Sequence, residues 1–233
     1  MAPMKQHTRS SILRRLRSLG SRHNIAGMAR FGITSRKVFG VGAKPVRALA
    51  RSVGTNHRLA LELWTTEYLE ARILASLIDD PALVSRRQMD RWASDFDNWA
   101  VCDACCGILF DKTPFAVRKA IQWSRDPREF VRRAGFVLMA ELAVHDKQAP
   151  DSMFLRFFPA IRRGATDERN FVKKAVNWAV RQIGKRNASL HPHAVRLARD
   201  IHALGTPSAR WIASDALREL THPRVKAQLK KKR

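Results

Sequence analysis

Apolar side chains recur at intervals of three and four residues along most of this chain, which is the spacing of one face of an α-helix. No segment alternates between apolar and polar positions convincingly enough to predict a β-strand. The breaks between the helical segments are short, as in stacks of antiparallel helices. The pattern predicts an all-α protein with one helical domain over residues 1–220.

Two short stretches of the sequence repeat one another. Residues 128–134 read REFVRRA and residues 169–175 read RNFVKKA, an offset of 41 positions. A self-match at about 40–47 residues is typical of α-solenoids built from helix pairs. Such arrays curve, and their concave side is the usual binding surface. We therefore predict an α-solenoid of antiparallel helix pairs that forms a curved arc with a concave basic groove.

The same pattern assigns individual helices. Residues 128–145 are apolar almost all round, which predicts a central, buried helix. Residues 151–164 and 169–184 are two further predicted helices. Residues 221–233 end in Lys-Lys-Lys-Arg, and we interpret them as a disordered basic tail.

The charge of the chain adds a partner to this picture. The formal net charge is +24 and the pI about 11.4, and the first 61 residues contain thirteen Lys or Arg and no Asp or Glu. A polyanion is the simplest partner for such an excess, and nucleic acid is favoured over a membrane surface. No apolar run approaches the roughly 20 residues that span a bilayer, so no membrane partner is expected.

Two observations bear on the compartment. The three cysteines share one short segment, which cannot staple a fold and is typical of a reducing compartment. Residues 10–19 are rich in Arg and contain no acid, which loosely resembles a transit peptide. The alternative, which we prefer, is an exposed first helix that contacts DNA. We expect a cytoplasmic, nucleoid-associated monomer.

Trp178 is out of place in the helix predicted at 169–184. At 100° per residue this helix has one apolar face, and Trp178 falls outside it, beside Lys174 and Arg181. A flat ring between cations suits nucleic acid, because the ring can contact a base or sugar while the charges contact phosphate. The alternative is an indole that seals the next helix pair. The apolar face consists of Val172, Ala175, Val176, Ala179 and Ile183.

A second tryptophan is paired with a carboxylate. In the segment 98–110, Trp99 and Asp103 are four residues apart and share the side of the helix opposite its apolar face. The alternative is that Asp103 caps or pairs locally and Trp99 packs on a neighbouring helix. The nearby cysteines lack the second pair of ligands that structural zinc needs, so no metal site is predicted.

Arg132 and Arg133 interrupt the otherwise apolar helix at 128–145. A buried, unpaired guanidinium is costly, so at least one of the two is expected to reach a surface or an anion. A salt bridge to an acid on an adjacent helix is one solution, and a phosphate is the other.

Five stretches of the sequence, taken together and in order, resemble the AlkD-like DNA alkylation repair family of HEAT-like repeat DNA glycosylases. They are FGITSRKVFGVGAKPVRALA, ELWTTEYLEARILASLIDDP, QMDRWASDFDNWAVCD, EFVRRAGFVLMAELAVHDK and RNFVKKAVNWAVRQIGKRN. The resemblance covers about 31–220. It implies HEAT-like repeats that hold double-stranded DNA in the groove. It also implies hydrolysis of the N-glycosidic bond of cationic alkylated purines, such as 3-methyladenine and 7-methylguanine, without a cofactor and without lyase activity.

The functional set of this family consists of two Trp, one Asp and one Arg. Trp99 and Asp103 match the first Trp and the Asp, with the same spacing of four. Trp178 matches the second Trp. Arg133 matches the Arg, although the adjacent Arg132 allows the register to slip by one. By resemblance, Asp103 stabilises an oxocarbenium-like sugar and orients water, the indoles contact the deoxyribose, and Arg133 binds a phosphate.

One position departs from the family. Ala100 stands where many relatives carry an Asp after the Trp, so catalysis is expected to be weaker if that carboxylate takes part. The alternative function is therefore a non-enzymatic HEAT-repeat protein that recognises distorted or branched DNA. A basic scaffold for RNA or protein partners is a third hypothesis, which the Trp–Asp pair disfavours. Further expected DNA contacts are Arg132, Lys174, Arg181, Arg36 and Lys37.

Overall fold

The computed structural model describes residues 7–231, and every regular element in that range is helical, which confirms the all-α prediction. The chain divides into two compact units, Met1–Thr113 and Pro114–Arg233. The helices of the first unit are α1 (Arg9–Leu19), α2 (Arg22–Arg30), α3 (Ala43–Val53), α4 (His57–Trp64), α5 (Leu69–Ile78), α6 (Arg86–Ser94) and α7 (Trp99–Ile108), followed by a 3₁₀ turn (Phe110–Lys112). The helices of the second unit are α8 (Ala116–Trp123), α9 (Glu129–His145), α10 (Asp151–Leu155), α11 (Phe158–Gly164), α12 (Asn170–Arg186), α13 (Leu190–His202), α14 (Pro207–Leu220) and α15 (Pro223–Lys230).

Helix α5 is the centre of the first unit. It packs against α3, α4 and α7, and most of its residues are buried. Beside it, Trp64 of α4 stacks on Trp92 of α6 with the ring centroids 3.9 Å apart. Both indoles are buried, so this stack supplies a large part of the apolar core of the unit.

The loop that follows α2, residues 31–42, is held by one buried carboxylate. Glu70 of α5 accepts hydrogen bonds from the main-chain N–H groups of Phe39, Gly40 and Val41 at 2.6–3.2 Å. Such bonds replace the water that a buried charge loses. Arg36 and Lys37 lie in the same loop and are exposed. The exposed cations of this loop are therefore carried by an ordered backbone.

Helices α9 and α12 lie side by side in the second unit. The predicted central position of α9 is confirmed, since the run from Phe136 to Ala140 has no exposed surface. Helix α8 packs on α9, and α13 packs against both α12 and α14. Each helix thus buries its apolar residues on its neighbours in the chain, as a repeat array requires.

The repeat found in the sequence is also a repeat of hydrogen bonds. The carboxylate of Asp126 accepts the main-chain N–H of Arg128 at 2.9 Å and pairs with its guanidinium. Forty-one residues later, Asp167 accepts the N–H of Arg169 at 3.1 Å and pairs with its guanidinium in the same way. The two turns that open α9 and α12 therefore have the same construction.

Two stretches differ from their predicted structure. The helix predicted over 151–164 is divided into α10 and α11. Pro159 lies in the first turn of α11, where it has no N–H to give to a continuous helix and its ring would clash with the carbonyl of residue 155. The tail predicted to be disordered forms α15, because Val225 and Leu229, one turn apart, are buried against the preceding helices. Residues 232–233 lie outside the described range.

Candidate functional site

The start of α7 is tied to the loop at 31–42. The side-chain oxygen of Asn98 accepts the N–H groups of Ala100 and Val101 at 2.9 and 3.1 Å, which caps the helix. The side-chain amide of Asn98 donates to the hydroxyl of Ser35 at 2.8 Å. That hydroxyl donates in turn to Asp97 at 3.0 Å. The cap of α7 therefore also holds the basic loop in place.

Trp99 and Asp103 lie one turn apart on α7, and both side chains are half-buried. The buried residues of the helix are Val101 and the three cysteines. At 100° per residue Cys106 lies on the same side as Trp99, so the pair borders the buried side of the helix and is not opposite to it. The indole N–H of Trp99 donates to the main-chain carbonyl of Phe31 at 2.8 Å. This hydrogen bond gives the ring a defined position beside the loop.

Phe31 is a candidate contact residue that the sequence did not reveal. Its side chain is 73% exposed although it is a large aromatic ring, and its carbonyl is the acceptor for Trp99. Gly32 follows with a φ of 76°, a left-handed conformation that favours glycine and turns the chain at this point. An aromatic residue before a glycine in an acid-free segment is the signal that the sequence offered.

The N-terminal helices carry the largest group of available cations. Helix α2 has no buried residue, and α1 and α3 each bury only one narrow apolar face. Within residues 7–231, the exposed arginines of this region take part in no ion pair, and they are Arg9, Arg14, Arg15, Arg17, Arg22, Arg30, Arg36, Arg47 and Arg51. Uncompensated charge of one sign repels itself, so this surface favours a polyanionic partner.

Lys37 differs from its neighbour Arg36. Its ammonium group lies 2.6 Å from a carboxylate oxygen of Glu67, and both side chains are about half exposed. The pair lowers the pKa of Glu67, through the hydrogen bond first and the charge of Lys37 second. A phosphate contact by Lys37 would compete with this ion pair, whereas Arg36 has no such competitor within the described residues.

The two arginines of α9 have different partners. Arg133 is 7% exposed and donates to the main-chain carbonyl of Phe171 at 2.6 Å. Arg132 forms a salt bridge with Asp167 at 2.8 Å and donates to the carbonyl of Asp126 at 2.9 Å. For Arg132 the structure therefore contains the salt bridge to an acid, which was one of the two predicted solutions.

Asp167 is the acid at the centre of this arrangement. Burial acts to raise its pKa, but hydrogen bonds from Arg169 and Arg132 outweigh burial and lower the pKa of Asp167 to about 2. An open cavity of about 480 Å³ lies beside Arg132 and is also lined by Arg125 and Arg163. Its lining is rich in guanidinium groups, so an anion such as phosphate is the ligand that its charge fits.

Lys174 and Trp178 share one side of α12, as the helical periodicity predicts. Trp178 is half-buried, and Lys174 is exposed and has no ion pair within the described residues. Arg181, one turn further, pairs with Glu219 and lies 3.8 Å from Asp215, both on α14. Its charge is thus balanced within the protein, and its DNA contact stays a prediction.

The predicted site residues are divided between the two units. Trp99 and Asp103 belong to the first unit, and Arg133, Lys174 and Trp178 belong to the second. The meeting of the two groups on one DNA surface stays a prediction. Among residues 7–231 there is no cluster of three or more potential metal ligands. Burial raises the pKa of the Cys105 and Cys106 thiols, which disfavours the thiolate form that binds metal.

This fold and site define a class of protein, namely a strongly basic, all-helical repeat protein with tryptophans at its surface. Comparison with known families gives a more definite result. Residues 12–225 match the model of a family described as DNA alkylation repair enzyme. The chain therefore belongs to the DNA alkylation repair enzyme family.

A solved structure supports the same fold. It is described as "a new family of proteins related to the HEAT-like repeat DNA glycosylases with affinity for branched DNA structures". The TM-score is 0.74 and the sequence identity 21%, over 83% of this chain and 83% of that chain. At this identity the likeness shows the fold, which is the predicted HEAT-like repeat fold. No curated protein sequence matches the chain. No helix within residues 7–231 is long and apolar enough to span a bilayer.

Proposed function

We propose that this protein is a DNA glycosylase that binds double-stranded DNA and removes cationic alkylated purines of the 3-methyladenine and 7-methylguanine type. The observation that carries the proposal is the pair of Trp99 and Asp103, one turn apart on α7 and both only half-buried. Membership of the DNA alkylation repair enzyme family supports it.

Hydrolysis of the N-glycosidic bond of a cationic purine needs few catalytic groups. Alkylation at N3 or N7 gives the purine a positive charge, so the C1′–N bond breaks to release a neutral base and leaves positive charge on the sugar. Water then adds its oxygen to C1′ and loses a proton. A carboxylate in the position of Asp103 stabilises the sugar cation and accepts that proton. Because no amine is needed for a covalent intermediate, we expect no lyase activity.

The indoles supply binding that strengthens during the reaction. The face of an indole attracts positive charge, so a sugar that becomes cationic is held more tightly than the neutral one. The Trp99 ring is already positioned by its hydrogen bond to Phe31. In the proposal, Trp178 provides the second ring, Lys174 contacts phosphate from the same side of α12, and Arg133 contributes its charge from α9.

The test is base release from methylated duplex DNA. Wild-type protein should release 7-methylguanine or 3-methyladenine. Trp178→Ala should reduce the rate of release by about tenfold or more. Trp178→Phe should retain much of the wild-type rate, because an aromatic ring remains. Circular dichroism checks that each variant is folded. Folded wild-type protein that binds the duplex and releases no base overturns the proposal.

One observation favours a second candidate, non-enzymatic recognition of branched DNA. Ala100 leaves α7 without a carboxylate next to Trp99, and a protein of the same fold is described as having affinity for branched DNA structures. A wild-type protein that releases no base and binds a four-way junction at least about tenfold more tightly than a duplex of equal length establishes this second function. Equal affinity for both DNAs excludes it.

A further inference from the structure

Trp211 is the most exposed tryptophan of the chain, and the proposed site does not use it. Trp64, Trp92 and Trp123 are only 2–3% exposed, and Trp99 and Trp178 are half-buried. Trp211, on α14, is 42% exposed. An indole buries a large apolar area when it packs in a core, and this one leaves much of that area in water. An exposed ring of this size has a face free for contact with a ligand.

Three cations close to Trp211 in the fold or in the chain are available to a ligand. The ammonium group of Lys173 lies 5.6 Å from the centroid of the indole ring, within the range of a cation–π contact. The next residue of α12, Lys174, is exposed, and so is Arg210, which precedes Trp211 on α14. None of these three cations has an ion pair within the described residues. The surface around the ring therefore complements an anionic ligand.

Trp211 and Trp178 lie on neighbouring helices of the same unit. The edge that joins α12 to α14 contains the hydrogen bond from Asn177 to the carbonyl of Ile212 at 3.2 Å and the approach of Arg181 to Asp215 at 3.8 Å. Trp211 is one turn before Asp215 on α14. By helical periodicity, both indoles lie beside this edge, on the side opposite the buried residues of their helices.

We propose that Trp211, together with Lys173 and Arg210, is a stacking platform for an unpaired nucleobase of DNA. A base inside a duplex already uses both of its faces for stacking, whereas a flap, an overhang or a branch point offers an uncovered face. An exposed indole binds such a face in a sequence-tolerant way, and the adjacent cations bind the phosphates on either side of it. The inference rests on the proposed DNA binding and adds a preference for DNA that has a single-stranded part.

The experiment compares two DNAs and four proteins. The DNAs are a blunt duplex and the same duplex with a short 3′ overhang that contains 2-aminopurine, whose fluorescence falls when the base stacks. The proteins are wild type, Trp211→Ala, Trp211→Phe and Leu83→Ala. Leu83 is an apolar side chain of the other unit that is 58% exposed, more than Trp211, and it controls for the loss of exposed apolar surface alone.

Trp211→Ala should weaken binding of the overhang DNA by about 5- to 100-fold, the loss expected for one stacked base, and should change binding of the blunt duplex by less than about twofold. Wild type and Trp211→Phe should quench 2-aminopurine, and Trp211→Ala should not. Unchanged 2-aminopurine fluorescence in the wild-type complex overturns the proposal, and so does an equal change of affinity for both DNAs. Failure of the glycosylase proposal is seen separately, as absent base release with these affinities unaltered.

Discussion

Phe130 and Phe171 occupy equivalent positions of two repeats that are 41 residues apart in the chain, and their rings pack with the centroids 5.3 Å apart. This contact sets the first turns of α9 and α12 side by side. It also places the guanidinium of Arg133 at the carbonyl of Phe171. The register between repeats therefore decides which cations have partners inside the protein and which remain available to a ligand.

Removal of the charge of Lys174 should affect DNA binding more than removal of the charge of Arg181. Lys174→Gln removes an exposed cation without an ion pair, so duplex affinity should fall and its dependence on log salt should become shallower by about 0.9. Arg181→Gln removes a cation that already pairs with Glu219, so the slope should change less than in Lys174→Gln. Anisotropy titrations at several salt concentrations measure both slopes. A larger change of slope in Arg181→Gln than in Lys174→Gln contradicts the assignment.

The hydrogen bonds that Asp167 accepts from Arg169 and Arg132 should make the protein sensitive to acid. The pKa of Asp167 is lowered to about 2 in the folded protein, so its contribution to stability is complete above the unfolded value near 4 and is lost as the pH falls towards 2. The full contribution is about 2 kcal/mol. Urea unfolding at pH 5 and pH 2.5 should show that wild type loses about 1–2 kcal/mol more stability than Asp167→Asn. Equal losses would show that the carboxylate is not stabilised in this way.

Gly135 is required by the close approach of α9 to the end of α8. A Cβ atom at this position would lie 2.4 Å from the main-chain nitrogen of Ser124 and 2.9 Å from the carbonyl oxygen of Ala120. Gly135→Ala should therefore lower the free energy of unfolding by about 1–3 kcal/mol or more. Gly27 is the matched control, because it is also helical but has no atom within 4 Å of an added Cβ. Gly27→Ala should raise stability by about 0.5–1 kcal/mol. Denaturant melts that show the same sign for both variants refute this account.

The helical fold was predictable because most of its causes are local. The apolar residues all round α9 predicted a buried central helix, and the repeated stretches predicted an array of helix pairs. The errors arose where two local signals competed. Pro159 ends a segment whose periodicity continues through it, and the lysines after α15 obscured the pair formed by Val225 and Leu229.

The candidate site was predictable only in part. Helical periodicity placed Trp99 and Asp103 on one side of α7, and Lys174 with Trp178 on one side of α12. It did not show that Arg181 pairs with Glu219, because that partner is 38 residues away and depends on how α14 lies against α12. The same holds for Phe31, because its carbonyl accepts the hydrogen bond of Trp99 only when the fold brings together residues that are 68 apart in the chain.

The claim on which this account depends most is that Asp103 carries out chemistry on damaged DNA. Single-turnover release of 7-methylguanine from methylated duplex DNA, measured for wild type, Asp103→Asn and Asp97→Asn, tests it most directly. Asp97 is an exposed carboxylate just before the same helix and serves as the control for lost charge. We predict that wild type releases the base and that Asp103→Asn releases it at least about 100-fold more slowly while it retains its affinity for the duplex. Asp97→Asn should release the base at a rate within about threefold of wild type. Release by Asp103→Asn at the wild-type rate would contradict the account.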